Sequence, residues 1–254
     1  MIRMIVTDLD GTFLRNDKTA SAYTLETVEK AREKGVMFVV ATARPIRSVV
    51  ERLPFIKFDV GIFHNGAVIR TPDGDIGGMG IDKPDVIVRD MLAEVPEAHI
   101  SVESEDVLYC NFDSRSIWPV EPFEYTEDFA CMAGKIADKI IVEAHSAAEV
   151  EKIARFIPDY AYAVLSENRI AMIMNKKATK INAIRAVVEK YGIDMADVAA
   201  FGDDYNDIDM LRGCGRGIAV ANALPEVKAA ADEVCGSNMD DGVAKWIEEN
   251  ILCC

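Results

Sequence analysis

The most informative stretch of this chain is Met4-Ile5-Val6-Thr7-Asp8-Leu9-Asp10-Gly11-Thr12. Its apolar start predicts a short buried strand, and two carboxylates follow two residues apart. Strand alternation directs Asp8 and Asp10 toward the same face, where like charges repel and both groups lose their water. A fold retains such a pair where a cation or a reaction requires it, and carboxylates beside a divalent metal commonly move phosphoryl groups. The stretch therefore predicts a reactive site at the end of a buried strand.

The composition is that of an acidic globular protein with a sizeable core. Half of the 254 residues are hydrophobic, and 43 acidic against 28 basic residues give a formal net charge of −15. Such a surface repels a phosphate backbone, so nucleic acid is not expected as a general partner. The length accommodates one large domain, or a core with a second domain inserted into it.

Cysteine usage and hydropathy predict a cytoplasmic protein. The six cysteines form no C-x-x-C pair and no zinc-ligand spacing, which is typical of a reduced interior. The Cys253-Cys254 pair is interpreted as a functionally silent tail. Strand-like residues begin directly at Met4, which argues against a signal peptide. The sequence contains no apolar run approaching the ~20 residues that a membrane span requires, so no membrane association is expected.

Short apolar runs alternate with amphipathic helical patterns in both end regions of the chain. This alternation predicts a doubly wound parallel sheet covered by helices. The predicted strands of this core are Met4–Thr7, Val36–Ala41, Val60–His64, Val198–Gly202 and Gly217–Val220. The predicted helices of this core include Tyr23–Lys34, Ile46–Leu53 and Ile181–Tyr191.

The middle of the chain loses this regular alternation. A turn-dense connector at 71–80 leads to a helix, several short strands and a second helix that begins with a capping box at Ser146. The predicted buried face of that second helix is Val150, Ile153, Ala154 and Ile157. We therefore interpret residues 82–178 as an inserted α+β domain, and residues 1–81 and 179–254 as one Rossmann-like α/β core.

Polar side chains follow the predicted core strands at the points where those strands end. Ligands of open α/β sheets bind outside the carboxyl ends of the strands, so these side chains are expected to meet at one edge. They are Asp8 and Asp10, Thr42-Ala43-Arg44, His64-Asn65-Gly66, and Gly202-Asp203-Asp204-Tyr205-Asn206-Asp207. Four separate strand ends thus contribute carboxylates, amides and a hydroxyl to one candidate site.

Several motifs together resemble those of the haloacid dehalogenase (HAD) superfamily. They are D-L-D-G-T at 8–12, the threonine at 42, N-G-A at 65–67, and G-D-D-Y-N-D at 202–207 followed by M-L. The stretch G-I-A-V-A-N-A-L-P-E-V-K-A-A-A at 217–231 is similar to the Cof-type sugar-phosphate phosphatases of that superfamily. The resemblance covers residues 2 to about 81 and about 175 to 248. It implies a HAD-type core whose inserted domain acts as a substrate-specificity cap.

The resemblance implies a role for each carboxylate of the candidate site. Asp8 is expected to attack phosphorus and form an aspartyl-phosphate. Asp10 is expected to act as general acid and base, with a pKa displaced from that of Asp8, while its backbone carbonyl binds the metal. Asp203 is expected to bind Mg²⁺ directly, and Asp207 to lie behind it or bind through water. A plain helix-capping role for Asp207 also stays open.

The loop after the second strand is expected to meet the phosphate. The Thr42 hydroxyl is expected to bind a phosphate oxygen. Pro45 beyond it suggests the start of a helix, whose backbone N–H groups would also point toward the phosphate. Ala43 stands where the family usually has glycine. For Arg44, substrate contact and a surface salt bridge both stay open.

Lys180 is predicted to be the cation that binds the phosphate and shields the carboxylates, and Lys177 is the alternative. Asn206 is expected to orient one of three groups, namely Asp10, the phosphate or Lys180. The Asn65-Gly66 pair resembles a family loop that faces the substrate, although a plain turn also explains it.

These assignments predict an Mg²⁺-dependent phosphatase, and the resemblance implies a small phosphorylated metabolite such as a sugar phosphate as its substrate. One lysine cannot balance four carboxylates and a phosphate ester, so a divalent cation is required. Two alternatives stay open: a phosphomutase that passes the phosphoryl group from Asp8 to a second hydroxyl, and a phospho-receiver domain that binds phosphate without turnover. Whether the protein is a monomer or a homodimer also stays open.

Overall fold

The computed structural model describes residues 1–166 and 168–253. The chain divides into two compact units, one formed by Met1–Gly78 with Thr179–Cys254 and the other by Met79–Ala178. Within the described residues, no helix combines the length and the apolar character needed to cross a bilayer.

The first segment of the chain builds half of the larger unit. Its elements are β1 (Met4–Thr7), α1 (Ala22–Glu33), β2 (Met37–Ala41), α2 (Ile46–Val50), β3 (Val60–Phe63), β4 (Val68–Thr71) and β5 (Gly74–Gly77). Ser21 begins α1 by accepting a hydrogen bond from Thr24 N, and Gly35 follows its end with a φ of +84°. The turn-dense connector seen in the sequence contains the β4–β5 hairpin, whose strands pair antiparallel.

The inserted unit contains a second sheet of its own. Its elements are β6 (Ile81–Asp82), α3 (Pro84–Glu94), β7 (Ile100–Ser104), β8 (Val107–Cys110), β9 (Glu124–Tyr125), β10 (Ile136–Ala137), β11 (Lys139–Glu143), α4 (Ala147–Ile153), β12 (Ala161–Ser166) and β13 (Ile170–Asn175). The larger sheet has the order β12-β13-β11-β7-β8-β9, and β6 pairs with β10 separately.

Alternation along the inserted strands sends apolar side chains to one core. Ile100, Val102 and Ile140 belong to a buried cluster that also contains residues of α3. Ser146 caps α4 by accepting a hydrogen bond from Glu149 N, as the capping box predicts. The predicted buried face of α4 is partly wrong, because Val150 is buried whereas Ala154 is exposed. The helix is regular only to Ile153, so the 3.6-residue period no longer controls the position of Ala154.

The last segment completes the larger unit. Its elements are α5 (Lys180–Tyr191), β14 (Val198–Gly202), α6 (Ile208–Gly213), β15 (Arg216–Ala219), α7 (Pro225–Ala230), β16 (Glu233–Val234) and α8 (Gly242–Ile247). Thr179 caps α5 by accepting a hydrogen bond from Asn182 N, and Gly192 ends it in the left-handed conformation.

The sheet of the larger unit has the order β16-β15-β14-β1-β2-β3-β4-β5. The pairs from β16 to β3 are parallel, and β4 and β5 add an antiparallel edge. β1 lies in the middle and is fully buried, with Val6 opposite Val39 on one side and Ala200 on the other. From β1 the chain winds outward in one direction through β3, and after the insertion it winds in the other direction from β14 to β16. This arrangement confirms the predicted doubly wound α/β fold.

Candidate active site

The polar residues predicted from the sequence lie at the carboxyl ends of neighbouring parallel strands. Asp8 follows β1, Thr42 follows β2, and Asp203 follows β14. These three strands are adjacent in the sheet in the order β14-β1-β2. The topology therefore brings residues from distant parts of the chain to one edge, where ligands of such sheets bind.

Three carboxylates form a tight cluster at this edge. Asp8, Asp203 and Asp207 each offer an oxygen that lies within 4.8 Å of the others. Lys180 places its Nζ 2.6 Å from Asp8 Oδ1 and 2.6 Å from Asp207 Oδ1, with only 1% of its side chain exposed. The lysine is thus a buried cation between two buried carboxylates, and the cluster keeps a negative excess.

The pKa values of the cluster follow from burial and from this crowding. Burial raises the pKa of Asp8 to about 7, because the loss of water and the nearby Asp207 and Asp203 outweigh the opposing charge of Lys180. Burial also raises the pKa of Asp203, against the hydrogen bond from Thr12. Burial lowers the pKa of Lys180, but the charges of Asp8 and Asp207 more than reverse this and raise it. The ammonium is therefore retained at neutral pH.

Asp207 combines the capping role and the cluster role that the sequence left as alternatives. Its side chain is fully buried, and Oδ2 accepts hydrogen bonds from Asp203 N at 2.9 Å and Asp204 N at 3.1 Å. Its other oxygen receives Lys180. One carboxylate thus shapes the turn that carries Asp203 and also contacts the buried cation.

Asp203 is held by the first loop of the chain. Thr12 Oγ1 donates a hydrogen bond of 2.6 Å to Asp203 Oδ1. Gly11 has a φ of +81°, and a Cβ there would lie 2.4 Å from Asp203 Oδ2. A side chain at position 11 would therefore displace the carboxylate, which explains the glycine after Asp10.

We expect Thr12→Val to weaken divalent-cation binding by about 10- to 100-fold, the usual cost of removing a group that hydrogen-bonds a metal ligand. Valine preserves the shape of the buried side chain but removes the hydroxyl that fixes Asp203. Mg²⁺ activation curves at saturating substrate measure the effect. Thr27→Val, at another buried threonine of the same unit, is the control. An unchanged half-saturating Mg²⁺ concentration in Thr12→Val would refute the role of the hydroxyl.

Asp10 lies next to the cluster but points its carboxylate elsewhere. Among the described residues the carboxylate cluster contains Asp8, Asp203 and Asp207 and not Asp10. The metal contact predicted for Asp10 is through its backbone carbonyl and does not require the side chain to join the cluster. Arg44 donates to both Asp10 oxygens, at 2.6 Å and 2.7 Å, and Lys18 Nζ lies 2.7 Å from Oδ1. Partial burial disfavours the charged form, but the hydrogen bonds and charges of Arg44 and Lys18 prevail and lower the pKa of Asp10 to about 2. The sequence left two roles open for Arg44, and in this structure Arg44 forms a salt bridge with Asp10.

The loop after β2 has a buried hydroxyl at its start. Thr42 is 1% exposed, and its Oγ1 accepts a hydrogen bond from Arg44 N at 3.2 Å. Ala43 is exposed. Pro45 is the N-cap of α2, and α2 ends at Val50 rather than at the predicted Leu53.

The Asn65-Gly66 pair forms a left-handed turn after β3. Their φ angles are +56° and +111°, and a Cβ on Gly66 would lie 2.6 Å from Thr179 O. Asn65 N donates to Thr42 O at 3.0 Å, which joins this turn to the loop after β2. Asn206 Nδ2 donates to Asn65 Oδ1 at 3.0 Å, so Asn206 orients Asn65 in this structure rather than Asp10 or Lys180.

The structure shows which of the two candidate lysines, Lys177 or Lys180, joins the carboxylate cluster. Lys177 is exposed and belongs to the inserted unit, where its backbone N–H donates to Asn175 Oδ1. Lys180 is the first residue of α5 and is buried among the carboxylates. The lysine of the cluster is therefore Lys180.

Sequence reasoning missed two side chains of the site. Thr12 was part of the quoted motif, and its hydroxyl next to two aspartates was a usable signal. Lys18 gave no signal, because its contact with Asp10 depends on a turn in which Lys18 has a φ of +65° and donates its N–H to Arg15 O at 2.9 Å.

The donor set fits a hard divalent cation. The cluster offers carboxylate oxygens and no sulfur or imidazole ligand, which is the set that Mg²⁺ prefers. Three carboxylates with one ammonium leave a formal charge of −2 in a largely buried place. A divalent cation balances this charge.

A doubly wound sheet that ends in such a cluster is typical of proteins that transfer phosphoryl groups. Residues 5–247 match the family of haloacid dehalogenase-like hydrolases, and the chain belongs to this family. The resemblance noted in the sequence is thereby confirmed, and the protein is a hydrolase of this family.

Individual relatives match along almost the whole chain. A Haemophilus influenzae protein is 30% identical over 266 residues, with 98% of each chain covered. YitU of Bacillus subtilis, a 5-amino-6-(5-phospho-D-ribitylamino)uracil phosphatase, is 26% identical over 261 residues, covering 97% of this chain and 96% of YitU. The crystal structure of TM0651 from Thermotoga maritima is similar with a TM-score of 0.85 at 25% identity, covering 98% of this chain and 97% of that one.

Proposed function

We propose that the protein is an Mg²⁺-dependent phosphatase that hydrolyses a small phosphorylated metabolite, such as a sugar or polyol phosphate, through an aspartyl-phosphate on Asp8. The observation that carries the proposal is the burial of Lys180 between Asp8 and Asp207, with Asp203 beside them. The activity of the similar protein YitU, on a phosphoribityl compound, supports the substrate class.

Asp8 supplies the nucleophile. One of its oxygens forms a bond to phosphorus while the bond from phosphorus to the ester oxygen breaks, and the leaving oxygen takes a proton. A water then attacks phosphorus, gives up a proton, and the bond from phosphorus to Asp8 breaks to release inorganic phosphate. Lys180 holds the Asp8 carboxylate in place during both steps through its 2.6 Å hydrogen bond.

Asp10 is assigned to both proton transfers, and the structure adds a condition. An acid must hold a proton, whereas Arg44 and Lys18 keep Asp10 ionised in this state. Substrate phosphate competes for the Arg44 guanidinium, which is a strong phosphate ligand. Release of Asp10 from Arg44 lets its pKa rise again, so that Asp10 protonates the leaving oxygen and later receives the proton of the attacking water.

The remaining assignments follow the strand ends. Asp8 and Asp203, with the backbone carbonyl of Asp10, are assigned to Mg²⁺, and Asp207 to a position behind them. When bound, Mg²⁺ neutralises the carboxylates and the phosphate oxygens. The residues assigned to binding the phosphate are Thr42, Ala43, Arg44, Asn65, Gly66, Lys180 and Asn206. Recognition of the organic part is assigned to the inserted domain at 82–178.

We expect Mg²⁺ binding to weaken as the pH falls below about 7. The pKa of Asp8 is raised to about 7 in the metal-free protein, so below this pH the metal must displace a proton from Asp8. The apparent affinity is expected to fall by up to about one tenfold step per pH unit. Calorimetric titration with Mg²⁺ in buffers of different ionisation enthalpy measures the proton release. Affinity and proton release that do not change across this range would contradict the raised pKa.

The experiment that tests the function is phosphate release from a panel of sugar and polyol phosphates, with Mg²⁺ and with a chelator. We expect free phosphate from at least one ester and none after chelation. Isomerised product without free phosphate would instead establish a phosphomutase. Stable binding of phosphate without turnover of any ester would establish a phospho-receiver domain.

A further inference from the structure

Three loops of the larger unit meet around Gly11 and close a ring of contacts. Asn222 Nδ2 donates a hydrogen bond of 2.6 Å to Gly11 O, and Leu224 N donates one of 3.1 Å to Asp203 O. Thr12 Oγ1 closes the ring by its 2.6 Å hydrogen bond to Asp203 Oδ1. The donors of Thr12 and Asn222 are side-chain groups, which a substitution can remove, whereas the donor of Leu224 is its backbone N–H.

The amide of Asn222 is held at both ends. Its Oδ1 accepts a hydrogen bond from Asn238 N at 2.9 Å, while its Nδ2 donates to Gly11 O. A backbone N–H can only donate and a backbone carbonyl can only accept, so one orientation of the amide satisfies both partners. Asn222 therefore connects the loop after β15 to the loop after β1 in a defined way.

Gly11 lies directly against the carboxylate of Asp203. The position of a Cβ on Gly11 would be 2.4 Å from Asp203 Oδ2. A shift of Gly11 therefore changes the space available to Asp203, and it also moves the loop that begins at Asp8. We therefore expect the distance between the Asp8 and Asp203 carboxylates to depend on how firmly Gly11 is held.

We propose that Asn222 is a positioning residue that sets the affinity of the carboxylate cluster for its divalent cation, by holding Gly11 beside Asp203. The inference rests on the proposed Mg²⁺-dependent function. Asn222 is exposed, so water replaces part of the lost hydrogen bond when the amide is removed. The expected loss of metal affinity is therefore at the lower end of the range found for residues that hold metal ligands in place.

The test is a titration of the metal-free protein with Mn²⁺, followed by electron paramagnetic resonance of the free ion. We expect Asn222→Ala and the similarly sized Asn222→Leu to raise the dissociation constant about 10-fold, with kcat at saturating Mg²⁺ within about twofold of wild type. Asn111→Ala is the matched control, because the Asn111 amide also accepts from a backbone N–H, that of Ile100, and donates to a backbone carbonyl, that of Ala98, but belongs to the inserted unit and not to this ring. It is expected to lower the Tm and to leave the Mn²⁺ affinity unchanged.

The outcomes separate this inference from the proposed function. If wild type binds Mn²⁺ and both Asn222 variants bind it equally well, with at most a lower Tm, the positioning role is overturned while the metal site stands. If wild type binds no Mn²⁺, or Asp203→Asn binds it as well as wild type does, the metal site itself is overturned and the inference falls with it. Weaker binding in both Asn222 variants, with unchanged binding in Asn111→Ala, supports the positioning role.

Discussion

Asp8→Asn is expected to abolish hydrolysis, lowering kcat by about 10⁴-fold or more for every phosphate ester. The amide oxygen still accepts the hydrogen bond from Lys180, so the cluster retains its packing. The amide cannot, however, form a productive bond to phosphorus at a useful rate. Release of free phosphate measures the loss, and the thermal unfolding temperature shows that the variant is folded.

Asp209→Asn is the matched control for this substitution. Asp209 is exposed on α6, near the same sheet edge, and the substitution changes the net charge equally. It is expected to retain wild-type turnover. A second readout tests the intermediate directly, because rapid acid quenching of wild type should trap phosphate on the peptide that contains Asp8. Turnover by Asp8→Asn above one-hundredth of wild type, as an order-of-magnitude threshold, would exclude the covalent route.

Lys180→Met is expected to lower the free energy of unfolding of the metal-free protein by about 3–5 kcal/mol and to abolish turnover. The substitution leaves Asp8 and Asp207 buried side by side without their shared cation, and buried charges without a partner are strongly destabilising. Denaturant unfolding in the presence of a chelator measures the loss. Mg²⁺ is expected to restore part of the stability, because it neutralises the same carboxylates.

Two further variants make this result specific. Lys177→Met, at the exposed lysine that the sequence left as the alternative, is expected to unfold within about 0.5 kcal/mol of wild type and to retain turnover. The double variant Lys180→Met with Asp207→Asn is expected to lose less stability than the two single losses added together, because it removes a buried charge together with its partner. Unfolding of Lys180→Met at the wild-type free energy would refute the buried ion pair.

The core elements were predictable because their burial is written in local patterns. β1 and β14 match their predicted bounds, since short apolar runs flanked by turns leave few alternatives. The end of α2 was less predictable. Its regular part ends at Val50, although Leu53 N still donates to Val49 O and Pro54 then ends the run. Helix ends of this kind depend on single hydrogen bonds that periodicity does not report.

The candidate site was predictable in its members but not in their pairing. Asp8, Asp203 and Asp207 were expected near one metal, and the structure places them in one cluster. Asp10 was expected to work beside them, yet Arg44, 34 residues away, holds its carboxylate. Sequence spacing reports which side chains reach an edge, whereas ion pairing depends on which charged atoms approach within about 3 Å of each other.

The amino-acid sequence was enough to predict the doubly wound core, the strand ends that carry the polar side chains and the family to which the chain belongs. These features depend on residue type and on local periodicity, which a chain displays without being folded. The tertiary structure alone decided that Lys180 rather than Lys177 enters the cluster, through a contact between residues 172 positions apart. Folding also brings Arg44 and Lys18 to Asp10 and thereby lowers its pKa, because pKa values depend on burial and on neighbouring charges that only the folded chain assembles.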